Sequence, residues 1–348
     1  MSTLRERTYR RMAQSIAGEP SDGHSVFYFY TFPFYQDVTG MPLPDYFHDP
    51  KMQLDMQVKV LDMLDGVGNL CPDVGSVAEA SSFGCPVRFD KAGFISVHEY
   101  PGLKDIEDAE EIDELLHFQG PYGDNYMKVA LETLKYMVEN CPEGYRVNPP
   151  VVMGPFTVAC QMFGPGDFCE MTLIDPDIVT TLMDRIVEAE VAYMKEMEKI
   201  LGSLHHILVC DDISAFLSPS LFEEFVMPYY DKLFAEFPNT QRWLHNDANA
   251  KHIAHLIPKC GFKAWQYGPC MTATEAAELT GNQVTLFGGF KPLELAKMTP
   301  EQVETELNKL FDEFAGNPKQ VVATMGSVNQ VPLENLKLIL KMCDERKI

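Results

Sequence analysis

Positive charge is scarce in this sequence: 28 lysines and arginines face 51 aspartates and glutamates, for a formal net charge of −23. A nucleic-acid partner needs clustered Lys and Arg to release counterions, so none is expected. Arg5, Arg7, Arg10 and Arg11 crowd the N-terminus and Arg346 lies near the other end. That leaves Arg88, Arg146, Arg185 and Arg242 for the body of the chain, few fork-shaped partners for a substrate with many carboxylates. No run of about 18 apolar residues occurs, which speaks against a membrane span. Residues 1–17 are basic and amphipathic and lack the apolar core of a signal peptide, so a cytoplasmic location is expected. The nine cysteines are odd in number and never spaced CxxC, which speaks against a disulfide framework or a four-cysteine zinc site. No GxGxxG turn follows any candidate strand.

What is present is ample apolar material, 46% of 348 residues, enough for one elaborated domain. Residues 2–17 have the pattern of an amphipathic helix ending near Gly18, and 1–25 read as an N-terminal extension. Strand-like stretches cover 26–34 (VFYFYTFPF) and 94–99, with helical spacing over 52–65 and 125–140. The turn-rich span 66–113 reads as a variable insertion. From Arg146 the pattern becomes regular, with candidate strands at 147–153, 206–212, 241–247, 264–268, 284–290 and 320–326, each followed by a helical pattern. About eight βα units without a glycine-rich dinucleotide turn predict an α/β fold, a single-domain (β/α)₈ barrel over 1–348 rather than a doubly wound sheet. Helix starts are explicit at Asp175-Pro176, at Thr299-Pro300-Glu301-Gln302, and at Ser220 with Glu223 three residues on.

In such a barrel the chemistry lies at the C-terminal ends of the strands, so polar residues ending apolar strands are the candidates. Asp211-Asp212 ends one strand. Adjacent residues face opposite ways, so at most one of the two looks inward, and Asp212 is taken as a metal ligand or proton carrier. The bland alternative is a loop cap and a solvated carboxylate. His245 and Asp247, two apart, share a side of an extended segment and suit zinc or an acid–base couple. Met325-Gly326-Ser327-Val328-Asn329-Gln330 ends the last strand. Ser327 and Gln330 there offer neutral hydrogen bonds, although ordinary turn chemistry explains them as well. Tyr30, Phe32 and Tyr267 are candidates for the wall of a flat substrate or for packing. Glu224 is a further ligand candidate. His205 and His206 begin a strand and read as structural, and His252 and His255 as surface residues of a helical run.

Several motifs resemble one superfamily in their order. Gly154-Pro155-Phe156-Thr157-Val158-Ala159 resembles the GPFT-x-A segment of the uroporphyrinogen decarboxylase superfamily. The run from Ser218-Pro219 through Glu223-Glu224-Phe225 to Pro228-Tyr229-Tyr230 is similar to its SP-x-x-F-x-E-F-x-x-PY run. His245, the GGF at 288–290 and Pro332-Leu333-Glu334-Asn335-Leu336 follow in the same order. The resemblance implies a (β/α)₈ barrel. The arginine-containing MRQAGR-like segment of true decarboxylases is missing between Val26 and Asp55, so decarboxylation ranks second. The branch most similar comprises corrinoid-dependent methyltransferases. Their thiol-methylating members hold zinc through His-x-Cys and a later cysteine, where this chain has His245-x-Asp247 and Gly326-Ser327.

The missing thiolates fit better with the branch's methyl-donor-side enzymes, which demethylate methoxylated aromatics. Glu224 and His245 resemble those in spacing, but their upstream glutamate falls on Val209, so Asp211 or Asp212 substitutes or the metal is absent. The resemblance therefore implies O-demethylation, in which a methoxylated aromatic gives its methyl group to the Co(I) of a small corrinoid partner protein. His245, Asp247 and Asp212 would be catalytic. Zn²⁺ would be held by His245, Asp247 and Glu224, and a homodimer is allowed. A thiol methyltransferase and a non-catalytic corrinoid-system subunit are the remaining alternatives.

Overall fold

A computed structural model describes residues 2–68 and 70–347. The strands are β1 (Val26–Tyr30), β2 (Val87–Phe89), β3 (Ile95–Val97), β4 (Val152–Met153), β5 (His206–Cys210), β6 (Gln241–Asn246), β7 (Phe262–Tyr267), β8 (Thr285–Phe290) and β9 (Gln320–Val328). The chain divides into two compact units. The first comprises residues 1–41, 54–70 and 243–348, and the second 42–53 and 71–242.

In the first unit the strands follow the order β1-β9-β8-β7-β6. β1 pairs in parallel with β9, β9 with β8 and β8 with β7. The pairing of the first strand with the last decides the fold class, because a doubly wound sheet keeps those strands apart while a barrel brings them side by side. The fold is the expected (β/α)₈ barrel class. In the second unit β4 pairs in parallel with β5, and β2 with β3 form a separate antiparallel ribbon. Among the described residues seven strands belong to the parallel set, one fewer than the eight expected.

The differences from the expected boundaries have local causes. The first strand stops at Tyr30 rather than 34, because Pro33 lies in the first turn of the helix Phe32–Thr39, and proline has no N–H to give a ladder. β4 is only two residues long because Pro149 and Pro150 occupy what was expected to be strand. Within 66–113 the expected strand shrinks to Ile95–Val97, beside short helices at Ala78–Ser81 and Glu110–Leu115. His252 and His255 are exposed as expected, but on a turn and a 3₁₀ helix (Ala254–Cys260) rather than a regular helix. Asp175 caps the 26-residue helix Pro176–Leu201 through Ile178 N–H, and Thr299 with Gln302 forms the capping box of the helix Pro300–Phe314. The cap of Pro219–Phe225 is Ser218, which accepts from Leu221 N–H, not Ser220 with Glu223.

The N-terminal segment is part of the first unit's core rather than an appendage. Its helix, Leu4–Ala17, starts at a Thr3–Glu6 capping box and ends at Gly18 in the left-handed region. Met12 and Ile16 pack against the buried cluster Ala264, Phe287, Val321 and Ala323, together with Phe27 and Trp243. Arg11, 3% exposed, pairs with Asp22 and Asp344 at 2.9 Å each, and Arg7 also pairs with Asp344. The N-terminal arginines thus tie the first helix to the last one, Leu333–Glu345. Among the described residues no helix is long and apolar enough to cross a membrane.

Candidate active site

Side chains on one face of the first unit's strands stack in layers, because alternate residues of a strand share a face. Trp243, Ala264 and Phe287 make an apolar layer. Two residues further along, His245 and Gln266 make a polar one, with the Phe29 ring 4.9 Å from the imidazole. His245 is 6% exposed and Gln266 fully buried. His245 Nδ1 lies 2.7 Å from Gln266 Oε1. Gln266 Nε2 donates to the backbone oxygens of Thr324, at 2.7 Å, and Gly326, at 3.1 Å. Those carbonyls are turned out of the ladder by an irregularity. Phe27 pairs with Ala323 but Phe29 with Ser327, so β9 carries two extra residues there.

Asp247 follows β6, and its Oδ2 is 3.9 Å from His245 Nε2. Gly326 has φ +129°, and a Cβ added there would sit 2.8 Å from Asp247 Oδ2. Gly268 likewise leaves room for the Asp247 backbone, at 2.2 Å from an added Cβ. The Asp247 carboxylate therefore reaches the space that a side chain at 326 would claim.

Within the second unit several acidic side chains are buried. Asp211, fully buried, accepts from Thr157 Oγ1 at 2.6 Å and Tyr230 O–H at 2.5 Å. A Cβ on Gly154 would fall 2.2 Å from Asp211 Cγ. This accounts for the GPFT segment in physical terms. Gly154 makes room for the carboxylate, Pro155 starts the helix Pro155–Phe163, and Thr157 donates to Asp211. Burial pushes the Asp211 carboxyl up to about 6 against those two hydrogen bonds, with the neighbouring Asp212 adding to the rise. Glu79, 2% exposed, accepts from Met153 N–H at 3.0 Å, and burial raises it to about 7. Glu190 is fully buried, and neither carboxyl oxygen has a protein hydrogen-bond partner. Burial, with Glu79 and Asp211 nearby, raises it well above the carboxylate range.

The candidates named from sequence separate clearly. His245 and Asp247 face each other. Ser327, half-buried, lies one residue past Gly326 and in register with Phe29. Gln330 is exposed with φ +51°, and its N–H donates to Asp37. Tyr30 stacks on Phe34 at 5.3 Å and packs where Gly68 leaves space, so it serves the packing of the first unit. Phe32 is half-buried at the start of its helix. Tyr267 lies on the opposite strand face from Gln266. Its fully buried ring occupies the space left by Gly288, edge-on to Trp265, which is a packing position rather than a substrate wall. In the second unit Asp212 is half-buried at the end of β5, and Glu224 is exposed on the helix Pro219–Phe225. Asp211 is the buried member of the candidate pair Asp211-Asp212, whereas Gln266, Glu79 and Glu190 are not singled out by the sequence pattern. Gln266 was detectable as the one amide inside the apolar strand Ala-Trp-Gln-Tyr, and Glu190 as a carboxylate on the buried face that Ile186 and Tyr193 define.

Comparison with known proteins agrees with this layout. The family model described as uroporphyrinogen decarboxylase (URO-D) matches residues 8–346. A methylated-thiol–coenzyme M methyltransferase of Methanosarcina mazei is 24% identical over 307 residues, covering 86% of this chain and 78% of that protein. A uroporphyrinogen decarboxylase of Geobacter sulfurreducens is 27% identical over 190 residues, covering 52% of this chain and 55% of the relative. A solved structure of a methyltransferase from Methanosarcina mazei has the same fold, with TM-score 0.80 over 99% of both chains at 21% identity. With the model match running nearly end to end, the chain belongs to the uroporphyrinogen decarboxylase (URO-D) family.

Proposed function

We propose that this protein is a corrinoid-dependent methyltransferase that takes a methyl group from an aryl methyl ether and delivers it to the Co(I) of a small corrinoid protein. The observation that carries the reading is the His245–Asp247 pair, an oxygen and nitrogen donor set standing where thiol-methylating relatives are expected to have sulfur. Phenolate is a poor leaving group, so ether cleavage needs a proton or a Lewis acid at the oxygen. A zinc ion would supply Lewis acidity there. Near-tetrahedral zinc with ligand distances of about 2.0–2.2 Å puts two donor atoms roughly 3.3–3.5 Å apart, so Nε2 and Oδ2, now 3.9 Å apart, would close by about half an ångström to share the ion. Catalytic zinc takes three protein ligands. Asp212, on the strand-end argument from sequence, is the proposed third, and the exposed Glu224 is the weaker choice.

The protein's own contributions follow from the layers. His245 presents Nε2 toward Asp247; with no ion between them either group can hold or pass the proton at the ether oxygen, and with zinc the same lone pairs would hold the metal instead. Phe29 borders the imidazole and limits water on that side. Ser327, beside Phe29 in register, offers a hydroxyl to a ring substituent.

A second reading, methyl transfer from a methylated thiol, is favoured by the long match to the methylated-thiol–coenzyme M methyltransferase. The experiment supplies purified protein, zinc and reduced cob(I)alamin with methoxylated aromatics or methylated thiols in parallel. Growth of the methylcobalamin spectrum with release of a phenol supports the first reading, and its loss in His245→Ala of unchanged folding assigns the residue. Methyl transfer from methylated thiols alone refutes the ether reading and supports the second. Retained turnover in His245→Ala removes that residue from the mechanism.

A further inference from the structure

We infer that Gln266 is a positioning residue that holds His245 in a single tautomer, with the hydrogen on Nδ1 and the lone pair of Nε2 turned toward Asp247. The inference deepens the proposed function, resting on the reading that His245 is the residue at which the chemistry occurs.

The orientation of Gln266 originates in the backbone of β9. Its two extra residues between Ala323 and Ser327 turn the carbonyl oxygens of Thr324 and Gly326 toward the strand face that Gln266 occupies. Both are pure acceptors, so they select the NH₂ end of the carboxamide. Thr324 Oγ1 also donates to the Gly326 oxygen at 2.8 Å, holding the irregular turn in place. With both hydrogens of Nε2 directed at carbonyls, Gln266 can present only Oε1 to the imidazole. Flipping the amide would set its oxygen against two carbonyl oxygens at 2.7 and 3.1 Å, and its NH₂ against His245. Oε1 cannot donate, so the 2.7 Å contact requires Nδ1 to carry the hydrogen. In the neutral ring the lone pair then resides on Nε2, the atom facing Asp247.

Gln266 is fully buried, so water does not compete for either end of the amide. The neutral amide acts as a backbone carbonyl would and differs from the carboxylate that often orients a metal-bound imidazole. It orients the ring without adding negative charge behind it, which leaves Nε2 a weaker electron donor and a bound metal a stronger Lewis acid. For cleaving an ether that is the useful direction.

The test uses ¹⁵N-histidine-labelled full-length protein without metal, at alkaline pH. Long-range ¹H–¹⁵N correlation identifies which ring nitrogen of His245 bears hydrogen, with assignment by His245→Gln. The expected wild-type signal is a single tautomer protonated at Nδ1. Gln266→Leu, which removes the acceptor while keeping bulk, should give a mixture of tautomers and weaken zinc binding by about 10–100-fold in competition with a chromophoric chelator. Gln266→Glu retains the acceptor for Nδ1 and should keep the wild-type tautomer even where stability falls. A wild-type ring protonated at Nε2, or a Gln266→Leu variant with an unchanged single tautomer, overturns the inference. Failure of wild-type protein to bind zinc, with the Nδ1-protonated signal intact, refutes the metal reading and leaves the positioning role standing.

Discussion

Glu79→Gln should remove a pH-dependent weakness from the protein. The Glu79 side chain is buried with one hydrogen bond, from Met153 N–H, and burial lifts its carboxyl from 4.5 to about 7. Between those values the folded state holds a proton that the unfolded chain has released. Stability therefore falls as pH rises through that window, and the loss is complete above about 7. At 1.36 kcal/mol per unit the contribution comes to about 3 kcal/mol, a large share of a typical domain's stability. An amide at this position still accepts from Met153 N–H and never ionises. The variant and the wild type should differ little at pH 5, and the variant should be more stable by about 3 kcal/mol at pH 8. Urea unfolding followed by circular dichroism at a series of pH values measures this, with equal slopes of free energy against urea as the control. A stability difference that stays constant from pH 5 to pH 8 would refute the reasoning, since it would mean that the folded Glu79 ionises like an unfolded one.

Two further substitutions test the site and the frame that carries it. Gly326→Ala adds a Cβ 2.8 Å from Asp247 Oδ2 at a backbone conformation reserved for glycine. It should displace the carboxylate and lower zinc affinity at least about tenfold, the scale seen when groups supporting a metal site are lost; isothermal titration with zinc reads the change, and an unaltered affinity would separate Asp247 from the metal. Arg11→Met keeps the bulk but leaves Asp344 and Asp22 without their shared partner. The cost should be about 2 kcal/mol, below the range for stranding a buried charge, because Asp344 keeps Arg7 and the largely exposed Asp22 keeps Arg10. Thermal and urea unfolding check it, and a cost under about 1 kcal/mol would show that the first helix is held by Met12 and Ile16 instead.

The sequence alone determined what depends on neighbours along the chain. Alternation of βα units announced the barrel class, and Asp175 before Pro176 and Thr299 with Gln302 marked helix starts that the structure contains. His245 and Asp247 were placed on one side of a strand end by spacing alone, because a period of two is a local property of extended backbone. Proline explains the local misreadings: Pro33 ended the first strand early and Pro149 and Pro150 shortened β4, effects that apolar pattern conceals. Only the tertiary structure decided which residues serve these groups. Gln266 reaches His245 from 21 residues away and reads carbonyls 58 and 60 residues further on, contacts that exist only because β9 is irregular where it pairs with β1 and Gln266 reaches it across β8. Asp211 is the buried member of its pair because Gly154, Thr157 and Tyr230 close around it from distant segments. Tyr267, on the opposite face of β7 from Gln266, fills the space left at Gly288. Periodicity tells which residues share a face. Which face meets a helix and which meets the chemistry is set by long-range packing, and no local pattern records it.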